Sequence, residues 1–197
     1  RLDRCQQREV AEYPDVTALF DELKRLPEGR VYSGKFVYNE PHWGSNYRSA
    51  CTLVQARALA EGLDTVAAIF HRYSLTSDVF ESFDETRLEH YNLFNVRYVI
   101  APEGQIFPDF VKPVQQFGNH VLYQVATTGY FDLVDSKLAF AGKKSDFLPA
   151  ASSWLASGLP EAKQHPLMVV GSTSQKIPTS FSDAPEIISK TQASGGQ

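Results

Sequence analysis

Apolar residues recur with two different periods along this chain, and each change of period marks an element. Val16, Leu19, Phe20, Leu23 and Leu26 stand at i, i+3, i+4, i+7 and i+10, with Asp21, Glu22, Lys24 and Arg25 between them. That spacing predicts an amphipathic helix opened by Pro14 and Asp15 and closed by Pro27 and Gly29. Residues 30–37 (RVYSGKFV) then alternate as a first strand. Residues 38–50 are a loop by composition, broken by Pro41, Gly44 and Ser45. Residues 51–73 read as a broken helix: Val66, Ile69, Phe70 and Tyr73 keep helical spacing, while Gly62 and Asp64 interrupt what precedes them. Asp84 is placed to cap a further helix that turns Leu88 and Tyr91 inward and ends near Phe94 and Asn95. Val96, Tyr98, Val99 and Ile100 follow as a β-branched and aromatic run that Pro102 stops, which predicts a buried strand fed by a helix.

From Val111 the period becomes two. Residues 111–117 and 120–125 flank Gly118-Asn119, a two-residue connection suited to a tight hairpin. Residues 130–136 (YFDLVDS) read as another strand, residues 147–155 as a short helix bearing Trp154, and residues 166–171 (PLMVVG) as a strand. The strands near residues 31 and 97 are separated by helical sequence, so they should run parallel, with the hairpin extending the sheet antiparallel. The fold class expected is α/β, on the border with α+β: a mixed sheet of about five or six strands with helical crossovers and a C-terminal appendage. The organisation expected is an α/β domain over 1–136, an appendage packed on it over 137–171, and an extended or flexible tail over 172–197, rich in Ser, Thr, Gln, Gly and Pro.

Composition narrows the function classes. Hydrophobic residues make up 43% and aromatic residues 12%, as in ordinary globular proteins. A formal charge of -4 argues against nucleic acid or an anionic membrane surface as the main partner. No apolar run approaches the roughly 18–20 residues that span a bilayer. The polar opening RLDRCQQRE would suit the exit from a preceding membrane helix. Cys5 and Cys51 are too few for a disulfide framework and have no zinc-ligand spacing; two unpaired thiols are the expectation, with a single bridge in an oxidising compartment as the alternative.

Few motifs carry chemistry. Gly142-Lys143-Lys144-Ser145 is a poor phosphate loop, because Lys137 stands where the first glycine belongs and a lysine displaces the hydroxyl residue. Asp132 and Asp135, three apart on an expected strand, would face opposite ways. The five histidines (His42, His71, His90, His120, His165) are scattered without metal-ligand spacing. No catalytic residue, metal site or cofactor is therefore assigned. The best binding candidate is the loop holding Tyr38, Asn39, Glu40, His42, Trp43, Asn46, Tyr47 and Arg48. Aromatic faces beside carboxylate, amide and guanidinium groups suit a saccharide, whose C–H faces stack on rings while its hydroxyls take directional hydrogen bonds. The competing reading is that Trp43 and Tyr47 plug the open end of the sheet while the polar residues cap turns. Arg97, inside the strand, should pair with a carboxylate such as Glu89 or Asp132, or reach outward to water. Trp154 reads as a packing anchor.

The blocks ELKRLPEGRVYSG (22–34), NLFNVRYVIAP (92–102), GNHVLYQV (118–125) and YFDLVDS (130–136) together resemble, in order, the extracytoplasmic part of YfhO-type bacterial multi-spanning membrane proteins. These are grouped with the GT-C-like glycosyltransferases that use lipid-linked sugars. The resemblance covers roughly the first 140 residues and implies architecture more than activity. It implies a periplasmic or cell-surface location, a transmembrane domain of the same protein as partner, and a glycan or lipid-linked sugar as ligand. The catalytic acid of such proteins lies in an early loop of the membrane domain, and nothing here matches it, so the fragment is expected to be non-catalytic. The alternative is a freestanding α/β small-molecule-binding or hydrolytic domain.

Overall fold

In this computed structural model, which describes residues 2–35, 42–66 and 79–170, the run Val96–Pro102 is the strand around which the rest assembles. In chain order the elements are α1 (Leu2–Arg25), β1 (Arg30–Tyr32), β2 (Arg48–Ser49), β3 (Thr52–Leu53), α2 (Val54–Ala60), α3 (Leu88–Phe94), β4 (Val96–Pro102), β5 (Lys112–Phe117), β6 (His120–Gln124), β7 (Asp135–Gly142), α4 (Lys144–Ala156) and β8 (Gln164–Val170). The fold is α/β, with parallel and antiparallel pairing in one main sheet of order β1-β4-β6-β5. That sheet has four strands rather than the five or six expected. β1 runs parallel to β4 and the β5–β6 hairpin is antiparallel, as the crossover and the Gly118-Asn119 turn require. Two small pairs, β2–β3 and the parallel β7–β8, stand outside it.

The sheet is covered on both faces, which is why β4 is almost continuously apolar. Tyr98 and Ile100 of β4 join Val16, Leu19, Phe20 and Leu23 of α1 in one core. Val99 and Ala101 join Tyr91 and Phe94 of α3, with Phe80, Phe83 and Leu155, in the other. Strict alternation would put Val96 with Tyr98, yet Val96 packs with Val99 and Ala101. The register explains this: Arg30 pairs with Val96 and Val31 with Tyr98, so Arg97 is one extra residue, a β-bulge that resets the alternation. Arg97 is therefore turned away from the core. It donates to the Glu28 carbonyl (3.0 Å) at the surface and approaches the Thr127 hydroxyl (3.4 Å), so of the two expectations the outward reach describes it and the pairing with Glu89 or Asp132 does not. Gly29 lies against this bulge: a Cβ there would come within 2.4 Å of the Arg97 Cβ. Asn95 links α3 to β4 in the left-handed conformation (φ 48°), which asparagine tolerates better than most residues.

Three boundaries differ from expectation. α1 does not start at Pro14 but at Leu2, with Pro14 inside it. Residues before Pro14 carry no apolar stripe; a polar one holds them instead. Cys5, Glu9 and Glu12 share a helix face at i, i+4 and i+7. Cys5 is disulfide-bonded to Cys51, contrary to the expectation of free thiols. Glu9 pairs with Arg57, and Glu12 accepts from the Ser49 hydroxyl (3.0 Å) and the Ala50 amide (2.6 Å). Asp84 does not cap α3. It accepts from the Thr86 amide and hydroxyl (2.8 and 2.7 Å), closing a turn ahead of the helix, whose first residue follows Arg87.

Residues 130–134 join no strand. Phe131 (94% exposed) and Leu133 (78%) face water, and Asp132 accepts from its neighbour's amide, Leu133 (2.9 Å), a local bond that competes with a sheet ladder. Only from Asp135 does the chain become β7, which pairs with β8 across α4. This β-α-β unit is tied to the main body by Arg87, which donates to the Leu155 and Ser157 carbonyls (3.0 and 2.5 Å). Trp154 anchors it, its indole N–H donating to the Gln164 carbonyl (2.8 Å). Residues 67–78, with His71, and the expected tail over 172–197 lie outside the described residues. No described helix is long and apolar enough to cross a membrane.

Candidate functional site

The loop singled out for saccharide binding follows β1, and its described part holds a short 3-10 turn, Trp43–Ser45, before entering β2 at Arg48. Backbone contact fixes it: a Cβ on Gly44 would come within 2.4 Å of the Gly34 Cα, so only two glycines allow this approach. Tyr38, Asn39 and Glu40 lie outside the described residues. Of the others, Trp43 is half-buried, edge-on to Tyr32 (5.9 Å, 80°), Tyr47 (5.7 Å, 60°) and Phe107 (5.9 Å, 86°). Asn46 and Arg48 are exposed, and Arg48 donates to the Cys51 carbonyl (3.0 Å).

Beneath Trp43 lies a polar node that no sequence motif announces. Glu85 accepts from the Trp43 indole (3.1 Å to each oxygen), from His42 Nε2 (3.0 Å) and from the Tyr32 hydroxyl. Burial pushes the Glu85 carboxyl up, but the hydrogen bonds from His42, Tyr32 and Trp43 outweigh it and hold it below the usual carboxylate range. The Gly44 amide donates to His42 Nδ1 (3.1 Å), so the hydrogen-bond pattern assigns the proton to Nε2. Both imidazole nitrogens are thus committed, and the carboxylate is surrounded by donors. As arranged, this His–Glu pair locks the loop to the 79–87 segment rather than presenting a free base. Burial, with the nearby Glu85 carboxylate, likewise pushes the Tyr32 hydroxyl far above its usual range.

Tyr47 belongs to a second buried group. Its hydroxyl meets His120 Nδ1 at 2.7 Å, and His120 Nε2 lies 4.0 Å from Glu12 without a hydrogen-bond partner. Burial lowers the His120 pKa against the raising influence of Glu12 and Asp15, so the ring is neutral near pH 7. Burial also raises the Tyr47 hydroxyl far above its usual range. The expected candidates therefore divide: Trp43, Tyr47 and His42 face inward in two polar-aromatic nodes, and Asn46 and Arg48 face water.

The described surface has a separate concavity. A cleft of about 360 Å³ lies between α3, the 129–134 segment and the end of the β7–β8 unit. Glu89, Asn92, Tyr130, Asp132, Lys163 and His165 line it. Sequence reading passed over it because Tyr130 and Asp132 looked like strand residues and His165 looked isolated. Among the described residues, no group of three or more His, Cys, Asp or Glu could hold a metal ion.

Comparison with family models, curated proteins and solved structures finds no match to this chain. The structure by itself defines an α/β domain with a disulfide-tethered N-terminal helix.

Proposed function

We propose that this chain is an extracytoplasmic accessory domain of a multi-spanning, YfhO-type, GT-C-like bacterial membrane protein. In this reading it recognises a glycan or acceptor and is not catalytic by itself. The Cys5–Cys51 bridge is the observation that carries it, because such bonds form and persist in oxidising compartments and are rare in the reducing cytosol. The four sequence blocks supply the family. The transmembrane part of the same protein is the partner, and it anchors the domain on the periplasmic or cell-surface side. The polar groups at the 42–48 loop support a non-catalytic role, since His42 and Glu85 are committed to one another. That commitment also weighs against the hydrolytic form of the freestanding alternative.

Two measurements test the proposal. The complete reading frame should encode about ten or more apolar spans beside this segment, each roughly 20 residues long. In intact cells, a membrane-impermeant maleimide should label Cys5 and Cys51 only after external reductant is added. A reading frame without such spans, or thiols that label only after lysis, would refute the assignment.

A further inference from the structure

We infer that the cleft beside α3 is a binding site for a neutral saccharide unit of one or two rings. The inference rests on the glycan-recognition reading above and gives it a place away from the 42–48 loop. Its volume of about 360 Å³ is at the small end of the range for ligand pockets, about 300–1,000 Å³.

The lining supplies both kinds of contact that a sugar needs. Tyr130 is 41% exposed and its ring is held in place from two sides: the hydroxyl donates to Asp64 Oδ2 (2.8 Å), and the Arg30 guanidinium sits 5.5 Å from the ring centre. A fixed, exposed aromatic ring is a platform for the C–H face of a pyranose. Leu88, 38% exposed, adds apolar surface to the same cleft.

Around that platform stand unspent hydrogen-bonding groups. Asn92 Oδ1 accepts from the Thr128 amide (3.1 Å), which fixes the side chain and leaves its two amide N–H donors without a described acceptor. His165 is held edge-on to Trp154 (4.8 Å, 68°), and its ring makes no hydrogen bond to a described residue. Burial keeps that imidazole neutral, so it offers one donor and one acceptor.

The charges decide the ligand class. Asp132 pairs with Lys163 (2.8 Å), and Glu89 with Arg87 (2.5 Å). That pairing leaves Glu161, an exposed carboxylate on the same lining, without a described partner, so the cleft disfavours an anionic sugar and keeps an acceptor for a hydroxyl. The outer lone pairs and N–H groups of the paired ions still bond neighbouring hydroxyls, as a neutral polyol presents them.

The test is titration of the protein with neutral mono- and disaccharides of glucose, galactose, mannose and N-acetylglucosamine at millimolar concentration, followed by amide chemical shifts. Binding should move the amides of residues 88–93, 130–132 and 163–165. Tyr130→Ala and Asn92→Ala should each weaken it at least about tenfold, on the scale of one lost good contact. Arg48→Ala should retain it. Thermal melts identify any variant that does not fold, and the shift map of the unmodified protein then decides. Shifts confined to residues 42–48, with affinity lost in Arg48→Ala, would overturn the cleft while leaving glycan recognition standing. No response to any of these sugars would overturn the cleft and count against glycan recognition as well.

Discussion

Opening the Cys5–Cys51 bridge is the perturbation whose size follows most directly from the fold. The two cysteines are 46 residues apart in sequence, and in the chain-entropy treatment a closed loop of that length destabilises the unfolded chain by about 4 kcal/mol. That figure is a ceiling for the loss on reduction. Among the described residues, the half of α1 before Pro14 is held otherwise by Glu9 to Arg57 and by Glu12 to Ser49, Ala50 and His120, so it can detach without unfolding Val16–Leu23. With a urea dependence of about 2 kcal/mol per molar, the unfolding midpoint should fall by up to about 2 M in reductant. Cys5→Ser/Cys51→Ser should reproduce the shift without leaving a free thiol. Hydrogen exchange should show faster exchange before Pro14 and unchanged protection at Leu19–Leu23. An unchanged midpoint in both the reduced protein and the double variant would refute the reasoning. Equal loss of protection along the whole helix would refute the hinge at Pro14.

Three further outcomes are expected. Stability should fall as pH is lowered from 7 to 5: burial depresses the pKa of His90, His120 and His165, so the unfolded chain takes up protons first and the neutral-ring contribution, complete above about 6.5, is lost below it. His120→Gln should flatten that slope in urea melts at stepped pH; a slope identical to the parent protein's removes His120 from the account. Trp43→Ala should cost about 3–5 kcal/mol in denaturant unfolding, because the indole fills the space between Tyr32, Tyr47 and Phe107 and donates to Glu85. A stable Trp43→Ala protein that has lost saccharide binding would instead make Trp43 a ligand platform. Asn95→Ala should cost about 2–3 kcal/mol, from left-handed strain and the lost bond from the Thr127 hydroxyl (2.7 Å), whereas Asn95→Gly should cost only about half as much. Equal melting temperatures for the two variants would contradict the strain component.

The parts of this fold legible in the sequence are those written in local periodicity. The α1 stripe from Val16, the β4 run and the Gly118-Asn119 hairpin each carry their own signal within a few residues. The first half of α1 was hidden because a polar stripe and a disulfide hold it, and both depend on residues around position 50. The Arg97 bulge is a property of two strands in register, so one strand's alternation could not reveal it. The 130–136 segment misled because its composition suits a strand, while its contacts are made by side chains: Tyr130 to Asp64 and Asp132 to Lys163. Glu85 was missed for a similar reason. It stands 42 residues from Trp43 in the chain, in no motif, and becomes a node only once β1 and α3 are brought together.

The register of the main sheet also sets an order of assembly. β5 and β6 are joined by a two-residue turn, and β4 precedes them closely, so these three strands can pair at small cost in loop closure. β1 finds β4 only after the whole crossover has been drawn in, since Arg30 pairs with Val96. The three-stranded antiparallel part is therefore the natural early intermediate, with its β4 edge waiting for a partner. Until β1 arrives, Val96, Tyr98 and Val99 present an open apolar edge to any other extended chain. The stage at which this protein is most exposed to misassembly thus lasts from the pairing of the antiparallel strands until β1 docks, and it falls on the strand that becomes its most buried.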